Sequence, residues 1–151
     1  MKREILFRGK RMDNGEWVVG DLVHNYWIGG EQFLNTAIRY LVNDIYSFPI
    51  AVYPDTIGQF TGLTDKNGIK IFEGDIVKWG HVDGGREKPI RIAEVKINPS
   101  LQFDIVSHEM NFLGQNKVFD YGSFIYKDTK KWLEVIGNIH DNPELLTLNP
   151  E

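Results

Sequence analysis

Apolar positions in this chain recur mostly at every second residue, in short runs cut by glycine, which is the period of a half-buried β-strand. Residues 2–7 are predicted as a first strand and residues 11–15 as a turn. Residues 16–23 continue as a strand that sets Trp17 and Val19 on one face. Tyr26-Trp27-Ile28 and Glu31-Gln32-Phe33-Leu34 flank Gly29-Gly30, a pair with the backbone freedom a hairpin tip requires. Residues 36–46 fit two periods. Ala37, Tyr40, Leu41 and Asp44 follow a helix, whereas Ile38, Tyr40 and Val42 alternate as in a strand, and strand or irregular structure is the reading adopted. Residues 48–53 are predicted to be extended, with Pro54 ending them.

The centre of the chain, residues 57–77, reads as a hairpin with Asn67-Gly68 at its tip, because both residues tolerate the positive φ of tight turns. Asp65 is placed to accept an Asx-type hydrogen bond from the turn backbone. Leu63, Ile69 and Ile71 supply strand-like apolar spacing, and Gly62 and Gly74 bracket the unit. The same phrase occurs earlier. Phe7-x-Gly9 and Asn14-Gly15 recur 53 residues later as Phe60-x-Gly62 and Asn67-Gly68, and Gly20-Asp21-Leu22-Val23 recurs 54 later as Gly74-Asp75-Ile76-Val77. Two copies are too few for a solenoid, so the expectation is a duplicated β-hairpin.

Further strands are predicted at residues 74–79, 90–97 and 132–139. Parity slips within 90–97, from Ile90 and Ile92 to Ala93, Val95 and Ile97, as a β-bulge would produce. Residues 80–89 are polar and glycine-rich and are expected to form a mobile loop. Asn98-Pro99-Ser100 turns the chain before Leu101, Phe103 and Ile105 alternate again. Residues 110–126 are aromatic-rich without clean periodicity. At the end, Asp141 and Asn142 precede Pro143, an arrangement that predicts a short helix over 141–146. Short strands with glycine turns at this spacing argue for a mainly β barrel or sandwich.

Composition narrows the function classes. The chain has 151 residues, enough for one domain or two small ones. With 0 cysteines there is neither a disulfide framework nor a thiolate metal site, which fits a reducing compartment. No apolar run is long enough to span a bilayer, and MKREILFRGK has no signal-peptide core, so a cytoplasmic protein without membrane attachment is expected. A formal net charge of −4 gives no global attraction to nucleic acid, although a local basic face is compatible with it.

The segments Tyr53-Pro54-Asp55-Thr56-Ile57-Gly58-Gln59-Phe60-Thr61-Gly62-Leu63, Asp65-Lys66-Asn67-Gly68 and Ile71-Phe72-Glu73-Gly74-Asp75-Ile76-Val77, with the closing Val135-Ile136-Gly137-Asn138-Ile139-His140-Asp141-Asn142-Pro143-Glu144-Leu145-Leu146, resemble the YopX family. The opening Phe7-Arg8-Gly9-Lys10 and Gly20-Asp21-Leu22 fit as well. The resemblance implies a small protein of phages and prophages of low-GC Gram-positive bacteria, working in the host cytoplasm. It also implies a mostly β fold with a C-terminal small barrel of the Src-homology-3 type. The domain expectation is therefore residues 1–56 as an N-terminal β region with the first hairpin repeat, and 57–151 as the second repeat plus barrel, in one compact unit. The family brings no catalytic, cofactor-binding or metal-binding residues to carry over.

The residues themselves offer little chemistry. His24, His81, His108 and His140 stand too far apart in sequence for a metal-binding helix motif, and scattered turn or surface positions suit them better. Asp21 and Asp75 could be paired carboxylates but read more simply as turn-fixing side chains. Ser107 neighbours His108 without a nucleophile elbow. Gly84-Gly85-Arg86-Glu87-Lys88 lacks the lysine-hydroxyl pair of a P-loop. Trp79 with Arg86, Lys88 and Arg91 forms a candidate binding surface, on which a ring beside cations could stack a single-stranded base. Core packing is the competing use of such rings, including Trp17, Trp27, Trp132, Tyr26, Phe60, Tyr121, Phe124 and Tyr126. The leading expectation is a non-enzymatic interaction protein that binds a protein partner or assembles with itself. A nucleic-acid-binding module is the alternative, and an enzyme with a cleft between the N-terminal repeat and the barrel is the third.

Overall fold

In a computed structural model, the described residues are 4–80, 82–83, 86–87, 91–108, 118–124 and 126–147. The chain divides into two compact units, Met1–Gly62 and Leu63–Glu151. Both are mainly β with antiparallel pairing. Strand β7 (Gly58–Thr64) carries the chain over the division.

The first unit contains β1 (Phe7–Lys10), β2 (Trp17–Gly29), β3 (Gln32–Arg39), the short pair β4 (Leu41–Val42) and β5 (Ile45–Tyr46), and β6 (Ile50–Ala51). Its sheet has the order β6-β3-β2-β1-β7. The first strand lies later than the expected 2–7, since Phe7, Arg8, Gly9 and Lys10 pair with Gly20, Val19, Val18 and Trp17. Alternation sorts β1 and β2 into two faces. Val18, with Ile38 and Val52, forms a small buried core flanked by Phe7, Leu22, Ile50 and Ile57. On the other face, the Arg8 guanidinium lies 4.7 Å and the Lys10 ammonium 5.5 Å from the centre of the Trp17 ring. The ambiguous residues 36–46 are the end of β3 and the β4–β5 hairpin. Its two-residue tip, Asn43-Asp44, has φ of 51° and 65°. Both values are positive, as a type I′ turn requires, and Asn and Asp are the non-glycine residues that best tolerate them.

The second unit begins in the central hairpin and contains β8 (Lys70–Phe72), β9 (Asp75–Trp79), β10 (Val82–Asp83), β11 (Arg86–Glu87), β12 (Arg91–Ile97), β13 (Leu101–His108), β14 (Val118–Asp120), α1 (Thr129–Trp132) and β15 (Glu134–Asn138). Its main sheet runs β14-β13-β12-β9-β15. The ladder does not return from β15 to β14, so the expected barrel is not a closed one among the described residues. The bulge anticipated within 90–97 is present between Ile92 and Ala93. It moves Ala93 and Val95 onto the inner face with Val77, Phe103 and Ile105, all of them fully buried. Above this face Phe103 and Phe124 stack at 4.5 Å, and Trp79 meets Phe124 edge-on at 5.0 Å. Each such ring pair adds about 0.5–1.5 kcal/mol beyond the area it buries.

Several expectations are corrected here. Residues 80–89 are not wholly loop, because β10 and β11 pair Val82 with Glu87 and Asp83 with Arg86. Trp132 is not in the last strand but closes the one-turn helix α1, whose Thr129 hydroxyl donates to the Thr64 carbonyl at 2.7 Å. The terminal helix is a 3-10 turn, Pro143–Thr147. The Asn142 carboxamide oxygen ahead of it accepts from the Asn138 amide at 3.2 Å.

The two hairpins share a positive-φ turn glycine, Gly15 at 73° and Gly68 at 78°. They differ beside it. Gly62 and Gly74 have φ of 88° and 90°, whereas Gly9 and Gly20 are not in that region. Asp75 is buried, and its Oδ2 accepts from the Phe72 amide at 2.7 Å, the turn-fixing role expected of it. Asp21 is half-buried and stands across from Arg39 in the β2–β3 ladder.

Candidate interaction surface

The first unit contains an unusual strand pair. Strand β2 has 13 residues, of which only Trp17–Gly20 pair with β1. Strand β3 is flanked on its other side by β6 only at Ala37 and Ile38, with one further bond from the Val52 amide to the Thr36 carbonyl. From Asn25 to Asn35 the chain is therefore a two-stranded ribbon, with no third strand on either edge among the described residues. An isolated ribbon of this kind is only marginally stable in water.

The ribbon is apolar and exposed. Trp27, opposite Phe33 across the ladder, is 61% exposed, and Phe33 is 54% exposed. Ile28 beside them is also exposed. The Trp27 indole N–H donates to the Gly30 carbonyl at 2.9 Å, pinning the ring over the turn. Tyr26 meets Phe48 edge-on at 6.0 Å, which joins the ribbon to the chain following the β4–β5 hairpin. That hairpin exposes Leu41, Val42, Ile45 and Tyr46, and Phe48 is 68% exposed. Glu31 is the one charged residue between Asn25 and Thr36, and Asp44 the one between Tyr40 and Phe48. Arg39 separates the two stretches, and its guanidinium lies 4.0 Å over the Tyr46 ring.

Of the residues expected to form a basic stacking surface, Trp79 lies in the core. Trp79 is 4% exposed, with its ring among Phe103, Phe124 and Tyr126. It offers no face to a base. Arg91 stands across the ladder from Trp79, half-buried, and its Nη1 is closed off from solvent without a hydrogen-bond partner among the described residues. Arg86 is placed by its backbone on β11, and Lys88 lies outside the described residues. Of the histidines, His24 is exposed on β2, His108 ends β13, His140 is half-buried, and His81 lies outside the described residues. Among the described residues, no group of three or more His, Asp or Glu side chains could hold a metal ion.

One carboxyl is perturbed. Glu94 sits on β12 between Ile76 of β9 and Asp104 of β13. Burial raises its pKa above the ordinary 4.5, and the charges of Asp104 and Glu73 act in the same direction against the opposing pull of Lys96. A raised folded-state pKa means that the folded protein favours the protonated form. The group's contribution to stability is thus full below its unfolded pKa and is lost as pH rises through the folded value. Glu94→Gln is expected to raise the unfolding free energy at neutral pH by under about 1 kcal/mol, moving the midpoint up, and to leave both unchanged below about pH 4. Equal midpoints at neutral pH would contradict this account.

Sequence reasoning included Trp27 and Tyr26 among the rings, but missed Phe33, Ile28, Phe48 and the β4–β5 residues as a surface. The available signal was the loss of alternation. Trp27-Ile28 and Phe33-Leu34 put apolar side chains on both faces of the ribbon, in a stretch almost free of charge.

Comparison with known proteins adds family and not chemistry. Among curated proteins no relative matches the chain. A crystal structure of protein EF1440 from Enterococcus faecalis is similar at 24% identity and a TM-score of 0.45, covering 96% of this chain and 99% of that one. The family described as YopX protein matches residues 6–147, nearly the whole length. The chain is a member of the YopX family.

Proposed function

We propose that this protein is a non-enzymatic interaction module of phage or prophage origin, acting in the bacterial cytoplasm by holding another protein surface against its first unit. The observation that supports this reading is the exposed apolar ribbon around Trp27 and Phe33. Large apolar patches on soluble proteins mark contact sites, and aromatic side chains with few charges around them form the energetic centre of such contacts. Nucleic-acid binding is the weaker reading. The Trp79 ring is buried, Arg8 and Lys10 already lie over Trp17, and the ribbon has no lysine or arginine. Phosphate neutralisation, which dominates nucleic-acid affinity, is absent there.

The test is a tagged pull-down from a lysate of a Gram-positive host, with and without nuclease, comparing the natural chain with a Trp27→Ser, Phe33→Ser variant. Both positions are exposed, so the variant should fold normally. A protein retained by the natural chain and lost from the variant supports the reading. Identical recovery from both refutes it, and material lost from both on nuclease treatment favours nucleic acid.

A further inference from the structure

We infer that Asn14 is a site of spontaneous deamidation, and that Asn67, in the matching phrase of the second hairpin, is shielded from the same reaction by Asp65. The chain holds two Asn-Gly pairs, Asn14-Gly15 and Asn67-Gly68. Glycine has no side chain to hinder its own nitrogen, so in such a pair that nitrogen can reach the preceding carboxamide. In the first hairpin the Gly15 nitrogen gives its proton to solvent and bonds to Asn14 Cγ. Nδ2 leaves as ammonia, taking a proton back from solvent. Hydrolysis of the resulting succinimide consumes a water molecule and leaves aspartate or isoaspartate at position 14. No other reactant is required.

Both asparagines are exposed, so access to solvent does not separate them. Backbone freedom does. Each glycine N–H is tied into its turn, Gly15 to the Arg11 carbonyl at 2.9 Å and Gly68 to the Asp65 carbonyl at 3.0 Å. The nitrogen must be released before it attacks, so the rate follows how often each turn opens. In the second hairpin more than that bond resists opening. Asp65 Oδ1 accepts from the amides of Asn67 and Ile69 at 2.8 and 2.9 Å, on either side of Gly68, and the Asp65 side chain is 1% exposed. Buried hydrogen bonds to a carboxylate are the strong class. In the first hairpin, by contrast, Met12 to Glu16 are all exposed. The Asn14 carboxamide oxygen accepts from the Glu16 amide at 2.9 Å, and its Nδ2 lies 3.4 Å from Glu16 Oε2. Arg11 pairs with Asp13 at 2.7 Å. Water competes for each of these surface bonds, so they hold the turn weakly. The product also loosens the hairpin. A carboxylate at position 14 faces Glu16 where an amide donor stood, and isoaspartate lengthens the backbone between β1 and β2 by a carbon.

The experiment is incubation of the full chain in mildly alkaline buffer, with peptide mapping by mass spectrometry over time. Asn14 should convert at least about tenfold faster than Asn67, splitting into aspartate and isoaspartate isomers. In urea the two should convert at comparable rates, because only the fold distinguishes them. Asp65→Ala should raise the Asn67 rate to that of Asn14 or beyond, and leave Asn14, in the other unit, unchanged. Asp65→Asn keeps an oxygen for both turn bonds while losing the one from the Val135 amide, so Asn67 should stay shielded in it. Conversion of Asn67 as fast as Asn14 in the folded chain overturns the inference, as does no conversion at Asn14. A difference that persists in urea assigns the order to flanking residues and overturns the role of the fold. An Asn67 rate indifferent to Asp65→Ala, or raised equally by Asp65→Asn, overturns Asp65 as the clamp on the turn.

Discussion

Asp65→Ala is expected to destabilise the second unit by about 3 kcal/mol or more, because one buried carboxylate serves three backbone donors, each charge-assisted bond contributing about 1.5–3 kcal/mol. Its Oδ1 accepts from the amides of Asn67 and Ile69 at 2.8 and 2.9 Å, and its Oδ2 accepts from the amide of Val135 at 2.9 Å. The side chain is 1% exposed, so water replaces little of this when it is removed. Two of the bonds hold the turn around Gly68. The third ties that turn to β15, 70 residues away, beside the Lys66 amide that donates to the Leu133 carbonyl. Asp65→Asn separates these roles. Its oxygen can keep the turn bonds, but its amide then faces the Val135 N–H, so about half of the loss should remain. Urea unfolding with an unchanged slope reads both values. A loss under about 1 kcal/mol for the alanine variant would mean these bonds are worth no more than surface ones.

Gly20→Ala should be comparably severe in the first unit, at about 3 kcal/mol, the upper range for overpacking a rigid site. A methyl group there would collide with the Arg39 carbonyl oxygen and come within 3.2 Å of Ile38 Cγ2. The obstacle is backbone, which cannot rotate out of the way. Relief requires β2 and β3 to separate at the root of the ribbon, where Asp21 pairs with Arg39 and Leu22 with Ile38. Ile38 is wholly buried and anchors the small core with Val18 and Val52. The same substitution at Gly15 meets no neighbour but is strained by its φ of 73°, so it should cost only about 1 kcal/mol. Thermal unfolding of the two variants side by side gives the comparison. Equal midpoints would show that the β2–β3 spacing is softer than described.

Both residues stand in phrases visible in the sequence, and they mark how far sequence alone reaches. Asp65 was legible as a turn acceptor because an Asx turn is set within a few residues. Its bond to Val135 was not, because no local pattern links positions 70 apart. Gly20 was legible only as part of a repeated phrase. The structure gives it a different use from Gly74, a close approach of β3 in place of a left-handed backbone. Trp79 shows the same limit for the candidate site. Beside a glycine-rich basic stretch it could be read as a stacking ring, yet its strand alternation points it inward to Phe103 and Phe124.

What the sequence by itself determined is local and periodic. The hairpin tips at Gly29-Gly30 and Asn67-Gly68, the bulge near Ala93 and the β class all follow from side-chain alternation and from which residues tolerate positive φ. The family followed from the fixed phrases at the centre and ends. Tertiary structure alone decided which strands become neighbours, that the described sheet of the second unit stays open, and that the ribbon from Asn25 to Asn35 is left without a third strand. Pairing and burial depend on contacts between residues far apart in sequence, and a stretch such as Trp27-Ile28 reads the same whether it is to be covered or left bare.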